Sequence, residues 1–187
     1  MDQRGLVERA QRGDHDAFAV LASASIARLD AAARLILRDG ELARDAVQEA
    51  MVRSWRDLPT LRDVDRFDAW LHRLLVNACL DIVRRRKRRA IEVELTPILI
   101  PTTGDFTSAV VDRDLLDRGL RALEPSWRAI VVLHYFLGMP LPEVASALGI
   151  PLGTAKSRLH RAIGLLRVTV EGDALVETPA VPEGRLA

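Results

Sequence analysis

The side chains in this sequence best suited to chemistry are cations, hydroxyls and amides of the kind that meet nucleic acid. Lys156, Ser157, His160, Arg161 and Gly164 recur at helical spacing opposite Ala155, Leu159, Ala162, Ile163 and Leu166. A helix with that apolar back and that polar front suits a major groove, where Lys, Ser, His and Arg reach base edges and phosphates. Residues 153 to 167 contain no acid that would repel phosphate. A second cationic feature is the unbroken run Arg84, Arg85, Arg86, Lys87, Arg88 and Arg89. Lys and Arg total 27 against 26 Asp and Glu, a net charge of +1, so the basic character is local.

Other chemistries find little support. Cys79 is the only cysteine, which excludes an intrachain disulfide and any cysteine-rich zinc site and fits a reducing cytoplasm. His15, His72, His134 and His160 have no ligand spacing among them, so no metal and no cofactor are expected. There is no Gly-rich phosphate loop, no cluster of metal-binding carboxylates, and no Ser or Cys nucleophile partnered by His, so an enzyme acting on nucleic acid is disfavoured. The N-terminus lacks a signal-peptide core, and no stretch reaches the roughly 20 apolar residues that span a bilayer. The expectation is a cytoplasmic protein with no membrane partner.

The elements that position these groups read as all-α, in two small helical domains joined by a flexible linker. In the first domain, Phe67, Trp70, Leu71, Leu74, Leu75, Ala78, Cys79 and Ile82 form one apolar stripe on a helix from about Asp68 to Arg88. Arg73, Asn77, Arg84 and Arg88 flank that stripe and make a basic, amide-bearing ridge. A second helix, Glu41 to Trp55, places Ala43, Ala46, Val47, Ala50 and Ser54 on one face and turns Arg44, Gln48 and Arg53 away from it. An earlier one runs through Phe18, Leu21, Ala22, Ile26, Leu29, Ala32, Ala33 and Ile36. Together they make a small bundle.

Pro97, Pro101, Thr102, Thr103 and Gly104 cannot jointly sustain a helix and mark the linker. The expected division is 1–90, linker 91–111, second domain 112–170 and a frayed tail 171–187. The second domain opens with a helix through Leu115, Leu116, Leu120 and Leu123, interrupted at Pro125 and followed by an apolar helix from Trp127 to Phe136 that ends near Gly138. Pro142 to Leu148 then reads as a short helix with Val144, Ala145 and Leu148 inward, and Gly149 allows a left-handed turn. Thr154 is the expected N-cap of the next helix, which runs to about Arg167. This is a helix-turn-helix, and periodicity alone leaves open what kind of regulator bears it.

The second domain's series Leu123, Pro125, Arg128, Leu133, Tyr135, Phe136, Gly138, Glu143, Val144, Ala145, Leu148, Gly149 and Ile150 ends in Gly-Thr-Ala-Lys-Ser-Arg-Leu-His-Arg-Ala from Gly153. The first domain carries Gly13-Asp14, Ala17-Phe18, Asp45, Gln48, Glu49, Trp55, Phe67, Trp70-Leu71, Asn77, Asp81 and Arg84 to Arg86. In both sets, across about residues 6 to 168, the chain resembles the extracytoplasmic-function (ECF) sigma factors of the bacterial sigma-70 family. The resemblance implies a sigma-2-like bundle that binds the clamp of core RNA polymerase and opens the minus-ten element of promoter DNA. It also implies a sigma-4-like helix-turn-helix that reads the minus-thirty-five element, and control by an anti-sigma factor.

Carried over by position, Asp45, Gln48, Glu49 and Arg53 belong to the polymerase-binding face, with Trp55 holding their helix. Leu61, Arg62, Asp63 and Val64 are candidates for capturing a flipped minus-ten base, by a pocket and hydrogen bonds because no aromatic stands between Leu58 and Arg66. Arg73, Asn77, Arg84, Arg85 and Arg88 would lie on minus-ten DNA. Lys156, Ser157, His160 and Arg161 would face the minus-thirty-five groove, with Thr154 and Arg158 towards the backbone. Asp81 stands four residues before Arg85, the spacing of a helical ion pair. Cys79, on the apolar stripe, reads as a buried inert thiol.

Pro140 and Pro142 depart from the family pattern, where Ser and an acid are more common, without touching the groove-facing side chains. Ile98, Leu99 and Ile100 form an apolar patch in the linker that either packs on a domain or threads into the polymerase cleft. A stand-alone regulator using only the helix-turn-helix is the alternative.

Overall fold

The structure, a computed structural model, describes residues 2–92 and 117–174, and every regular element among them is helical. Helices α1 (Gln3–Gln11), α2 (His15–Leu37), α3 (Gly40–Asp57) and α4 (Phe67–Glu92) form the first block. Helical residues 117–122 (α5), α6 (Pro125–Val131), a π-helical turn Val132–Phe136, α7 (Leu141–Leu148) and α8 (Leu152–Ala174) form the second. Helix thus continues into residues 91–92 and 171–174, which the sequence had assigned to linker and tail. The remainder of both segments, with Ile98, Leu99, Ile100, Leu115 and Leu116, lies outside the described residues.

Local chemistry fixes the helix starts. Asp14 caps α2 by accepting from the Ala17 N–H at 2.9 Å, and Asp39 caps α3 by accepting from Glu41 and Leu42 at 3.1 Å each. The Ala17 N–H, then Arg9, hold the Asp14 carboxyl below the usual carboxylate range. Asp14 is the hinge of α1 as well, because Arg9 donates to it at 2.8 Å. Pro125 occupies the first turn of α6, where a missing N–H leaves no bond unmade.

Packing follows the apolar spacing closely in α3, whose buried residues are Ala43, Ala46, Val47, Ala50 and Ser54. Four alanine and serine side chains among these five let α3 sit close to both α2 and α4. Trp55 joins α3 to α2 by ring contacts to His15 at 4.6 Å and Phe18 at 4.9 Å. In α2 the expected stripe is buried at Leu21, Leu29, Ala32, Ala33 and Ile36, but Ile26 is 47% exposed. Ala17 and Leu37 complete the buried side instead.

Helix α4 is the axis of the molecule, in contact with α2, α3, α6 and α7. It therefore buries more than one stripe: Val76 and His72 join Phe67, Leu71, Leu75, Ala78 and Cys79. Burying each Leu or Phe here is worth about 1.5–3 kcal/mol. One apolar cluster runs through both blocks, from Val7 and Leu29 through Leu75 to Ile130, Leu133, Met139 and Val144. A smaller one, Leu120, Leu123, Val131 and Ala162, ties α5, α6 and α8. At Gly119 a Cβ would lie 2.7 Å from Leu166 Cδ2, so glycine permits the close approach of α5 to α8.

Candidate nucleic-acid interface

Helices α7 and α8 form the helix-turn-helix. Gly149 ends α7 with φ +65°, and the Ile150 N–H reaches back to the Ala145 carbonyl at 3.0 Å. Ala145, Ala155 and Ala162 are buried, so the helix pair meets through small side chains. Opposite them Lys156, Ser157, His160 and Arg161 are exposed together, while Thr154 and Arg158 are half-buried. Thr154 is not an N-cap. The helix begins at Leu152, with the Ala155 N–H bonded to the Pro151 carbonyl at 3.0 Å, because Gly149 and Pro151 complete the turn earlier than the Thr suggested. Thr154 uses its carbonyl to accept from Ser157 Oγ at 3.0 Å.

On α4, Arg73, Arg84, Arg85 and Arg88 are exposed and Asn77 is half-buried, the expected ridge. Asp81 stands beneath it, and its partners are Arg84 Nη2 at 3.0 Å and Arg53 Nη1 at 3.4 Å. The pairing with Arg85 that helical spacing suggested is not formed, because a nearer cation on the same helix and one on α3 take both oxygens. Arg86 turns the other way, 3.5 Å from Asp39. The arginine run is thus divided, with Arg84 on Asp81, Arg86 on Asp39, and Arg85 and Arg88 exposed.

Leu61, Arg62 and Asp63 stand between two single-turn 3-10 helices, Leu58–Thr60 and Val64–Arg66, the second of which opens on Val64. Gln11 Nε2 pins this segment by donating to the Leu58 and Leu61 carbonyls at 3.2 and 2.7 Å. Leu61 and Val64 pack against the core, which leaves Arg62 and Asp63 exposed at the tip. Asp63 also accepts from the Asp65 N–H at 3.1 Å.

The α3 surface is of mixed charge, with Glu41, Arg44 and Arg56 exposed. Asp45 and Gln48 are exposed, and Glu49 accepts from Arg53 Nε at 2.7 Å. Arg53 is not turned away from the bundle as its spacing suggested: its side chain is 23% exposed and lies between Glu49 and Asp81. It links α3 to the basic ridge of α4.

Residues 21–89 match the family model described as Sigma-70 region 2, and residues 113–166 match Sigma-70, region 4. The chain is 36% identical over 139 residues to the RNA polymerase sigma-E factor of Streptomyces avermitilis, covering 74% of this chain and 76% of that one. It is likewise 36% identical over 152 residues to the ECF RNA polymerase sigma factor SigM of Mycobacterium tuberculosis, covering 80% and 75%. This chain is an ECF sigma factor of the sigma-70 family. Among solved structures, CnrH in complex with the cytosolic domain of CnrY superposes with a TM-score of 0.66 at 28% identity, covering 91% of this chain and 98% of that one. RpoE in complex with the anti-sigma factor NepR from Bartonella quintana shares the fold, with a TM-score of 0.68 at 22% identity, covering 83% and 98%.

The sigma factor's activity is promoter-specific transcription initiation with RNA polymerase. Region 2 contains the α3 face, the loop and the α4 ridge, and region 4 contains the helix-turn-helix. Periodicity overlooked α1, whose Leu6, Val7 and Ala10 mark a buried side too short to stand out. It also overlooked two buried bases. His72 is 8% exposed, and burial lowers its pKa, with Asp68 partly opposing. Arg128 is also 8% exposed and is pushed down to about 10 by burial and then by Arg38. Cys79 is fully buried and pushed up to about 12, an inert thiol as expected. Among the described residues no group of side chains could hold a metal, and no helix is long and apolar enough to cross a membrane.

Proposed function

We propose that the two regions divide the promoter between them, with region 2 opening the minus-ten element and region 4 reading the minus-thirty-five element. The observation that carries this reading is the pair of distinct exposed faces within region 2: a polar face with Asp45 and Gln48 on α3 and a cationic one with Arg73, Arg84, Arg85 and Arg88 on α4. A face of that first kind meets the polymerase clamp through Asp45, Gln48, Glu49 and Arg53. The second kind meets phosphate, with Asn77 available to a base and Arg62 and Asp63 at the flipped-base tip. Leu61 and Val64 form the apolar wall of that tip.

In region 4, Lys156, Ser157, His160 and Arg161 read base edges, and Thr154 and Arg158 meet the backbone. The chain contributes binding and positioning and leaves the phosphoryl chemistry to polymerase, so it is a regulator rather than an enzyme and acts in the bacterial cytoplasm. CnrH is seen in complex with the cytosolic domain of CnrY, and RpoE with the anti-sigma factor NepR. We assign this chain a partner of the same kind.

The test separates the two faces. Asp45→Arg and Gln48→Ala should abolish capture by core polymerase while leaving binding of the chain to minus-thirty-five duplex unchanged. Lys156→Ala with Arg161→Ala should do the reverse. Loss of both properties in every variant, or of neither, overturns the division.

A further inference from the structure

Region 2 carries a cleft between α1, α2 and the first turns of α4, and none of the residues assigned to promoter or polymerase lines it. Its volume is about 440 Å³. Ligand clefts in proteins run from about 300 to 1,000 Å³, so this one stands at the small end of that range. The floor is apolar, made by buried Leu21 and Leu29 of α2 and buried Leu71 of α4. The α2 wall is uncharged for most of its length, because residues 17 to 27 contain no acid, base or histidine.

Three polar side chains interrupt this apolar surface. His72 lies deepest, 8% exposed, and its Nδ1 is buried without a hydrogen-bond partner. Such an atom is rare in a folded protein. The ring's hydrogen-bonding capacity is unspent, and Nε2 is left as the nitrogen within reach of the cleft. Asp68 precedes His72 by one turn of α4, and Arg28 follows the uncharged stretch of α2. Both act on the imidazole, Asp68 favouring its proton and Arg28 opposing it, so both charges stand near one ring. Neither charge is fully occupied. Asp68 accepts from Gln3 Nε2 at 2.8 Å through Oδ1, and Arg28 donates to the Phe136 carbonyl at 3.3 Å through Nη2. Asp68 Oδ2 and the other N–H groups of Arg28 remain for a ligand.

Among the described lining residues, Asp68 is the only anion and Arg28 the only cation. A carboxylic acid without an amine would meet Asp68 as a like charge, and an amine without a carboxylate would meet Arg28 as one. A small zwitterion satisfies both, and an apolar side chain covers the leucine floor. We propose that this cleft binds a free apolar α-amino acid, with its carboxylate on Arg28, its ammonium on Asp68, its side chain over Leu21, Leu29 and Leu71, and His72 Nε2 bonded to its polar end. Guanidinium and carboxylate groups form the stronger class of hydrogen bond, and here they also fix the ligand's direction. The site does not depend on the promoter reading.

The experiment titrates the full chain, isotope-labelled in its histidine rings, with L-phenylalanine and separately with L-leucine, following heat and the ring NMR signals. At least one of the two should saturate with a Kd below about 1 mM. The His72 signals should move while those of His15, His134 and His160 stay in place. Hydrocinnamate, which lacks the ammonium, and phenethylamine, which lacks the carboxylate, should each bind more weakly than L-phenylalanine by about tenfold. Arg28 and Asp68 are both exposed, so Arg28→Gln and Asp68→Asn leave the core intact. Each should weaken amino-acid binding by about tenfold. A response still linear at that concentration for both amino acids, equal binding of the acid or the amine alone, full affinity in either charge variant, or shifts confined to the other histidines overturns the proposal.

Discussion

Arg53 of α3 and Asp81 of α4 are joined at 3.4 Å across the interior edge of region 2, 28 residues apart in sequence. Asp81 also holds Arg84 at 3.0 Å, and Arg53 also holds Glu49 at 2.7 Å. One chain of charges thus runs from α3 to the arginine ridge of α4. Its members are half-buried or exposed, so its contribution is positional more than energetic.

Replacing Asp81 with Asn should therefore cost about 1 kcal/mol of stability or less, measured by denaturant unfolding. The larger effect should be on promoter opening, because Arg84 loses the carboxylate that orients it. Permanganate reactivity of minus-ten thymines should fall, while core polymerase affinity changes little. Unchanged opening would restrict Asp81 to a surface role.

Gly149→Ala tests the turn. A Cβ there meets nothing within 4 Å, so any cost arises from φ +65° alone. The expected loss is about 1–2 kcal/mol, concentrated in region 4. Minus-thirty-five binding should weaken at elevated temperature before region 2 unfolds. Thermal melting identical to wild type would show that the turn relaxes freely.

His72 supplies a pH dependence. Its folded pKa is lowered by burial from an ordinary value of 6.5, so the unfolded chain binds the proton more readily. Stability is highest above pH 6.5 and falls as pH drops from there towards the folded pKa. Melting temperature should decline across that window, and His72→Leu should flatten the decline. An identical slope in the variant would assign the effect elsewhere.

The two cationic surfaces should differ in kind. Arg161→Ala should cost about 1–3 kcal/mol with discrimination lost at one or two minus-thirty-five positions, read from binding to a panel of single-base variants. Replacing Arg84, Arg85 and Arg88 with Ala should weaken every sequence alike and flatten the salt dependence. A uniform loss for Arg161 would make it a phosphate contact.

Much of this was legible in the sequence because single helices obey a single period. The five buried residues of α3 and the exposed front of α8 follow directly from spacing of three and four. What spacing cannot encode is the neighbour. Ile26 continues an apolar stripe yet stays exposed because no described helix covers it, and Val76 and His72 lie off the stripe yet are buried because α4 has partners on several sides. Arg53 was misjudged for the same reason: its partner Asp81 is on another helix. Thr154 carried a true cap signal, but Gly149 and Pro151 had already set where α8 begins. The polymerase-facing role proposed for Asp45, Gln48 and Glu49 has no local signature, since a polar helix face is ordinarily only solvated.

The central claim is tested most directly by transcription from a genomic fragment library with purified core polymerase, mapping start sites with and without this chain. The account predicts new start sites that share upstream minus-ten and minus-thirty-five elements and vanish with Asp45→Arg. Start sites unchanged by the chain would contradict it.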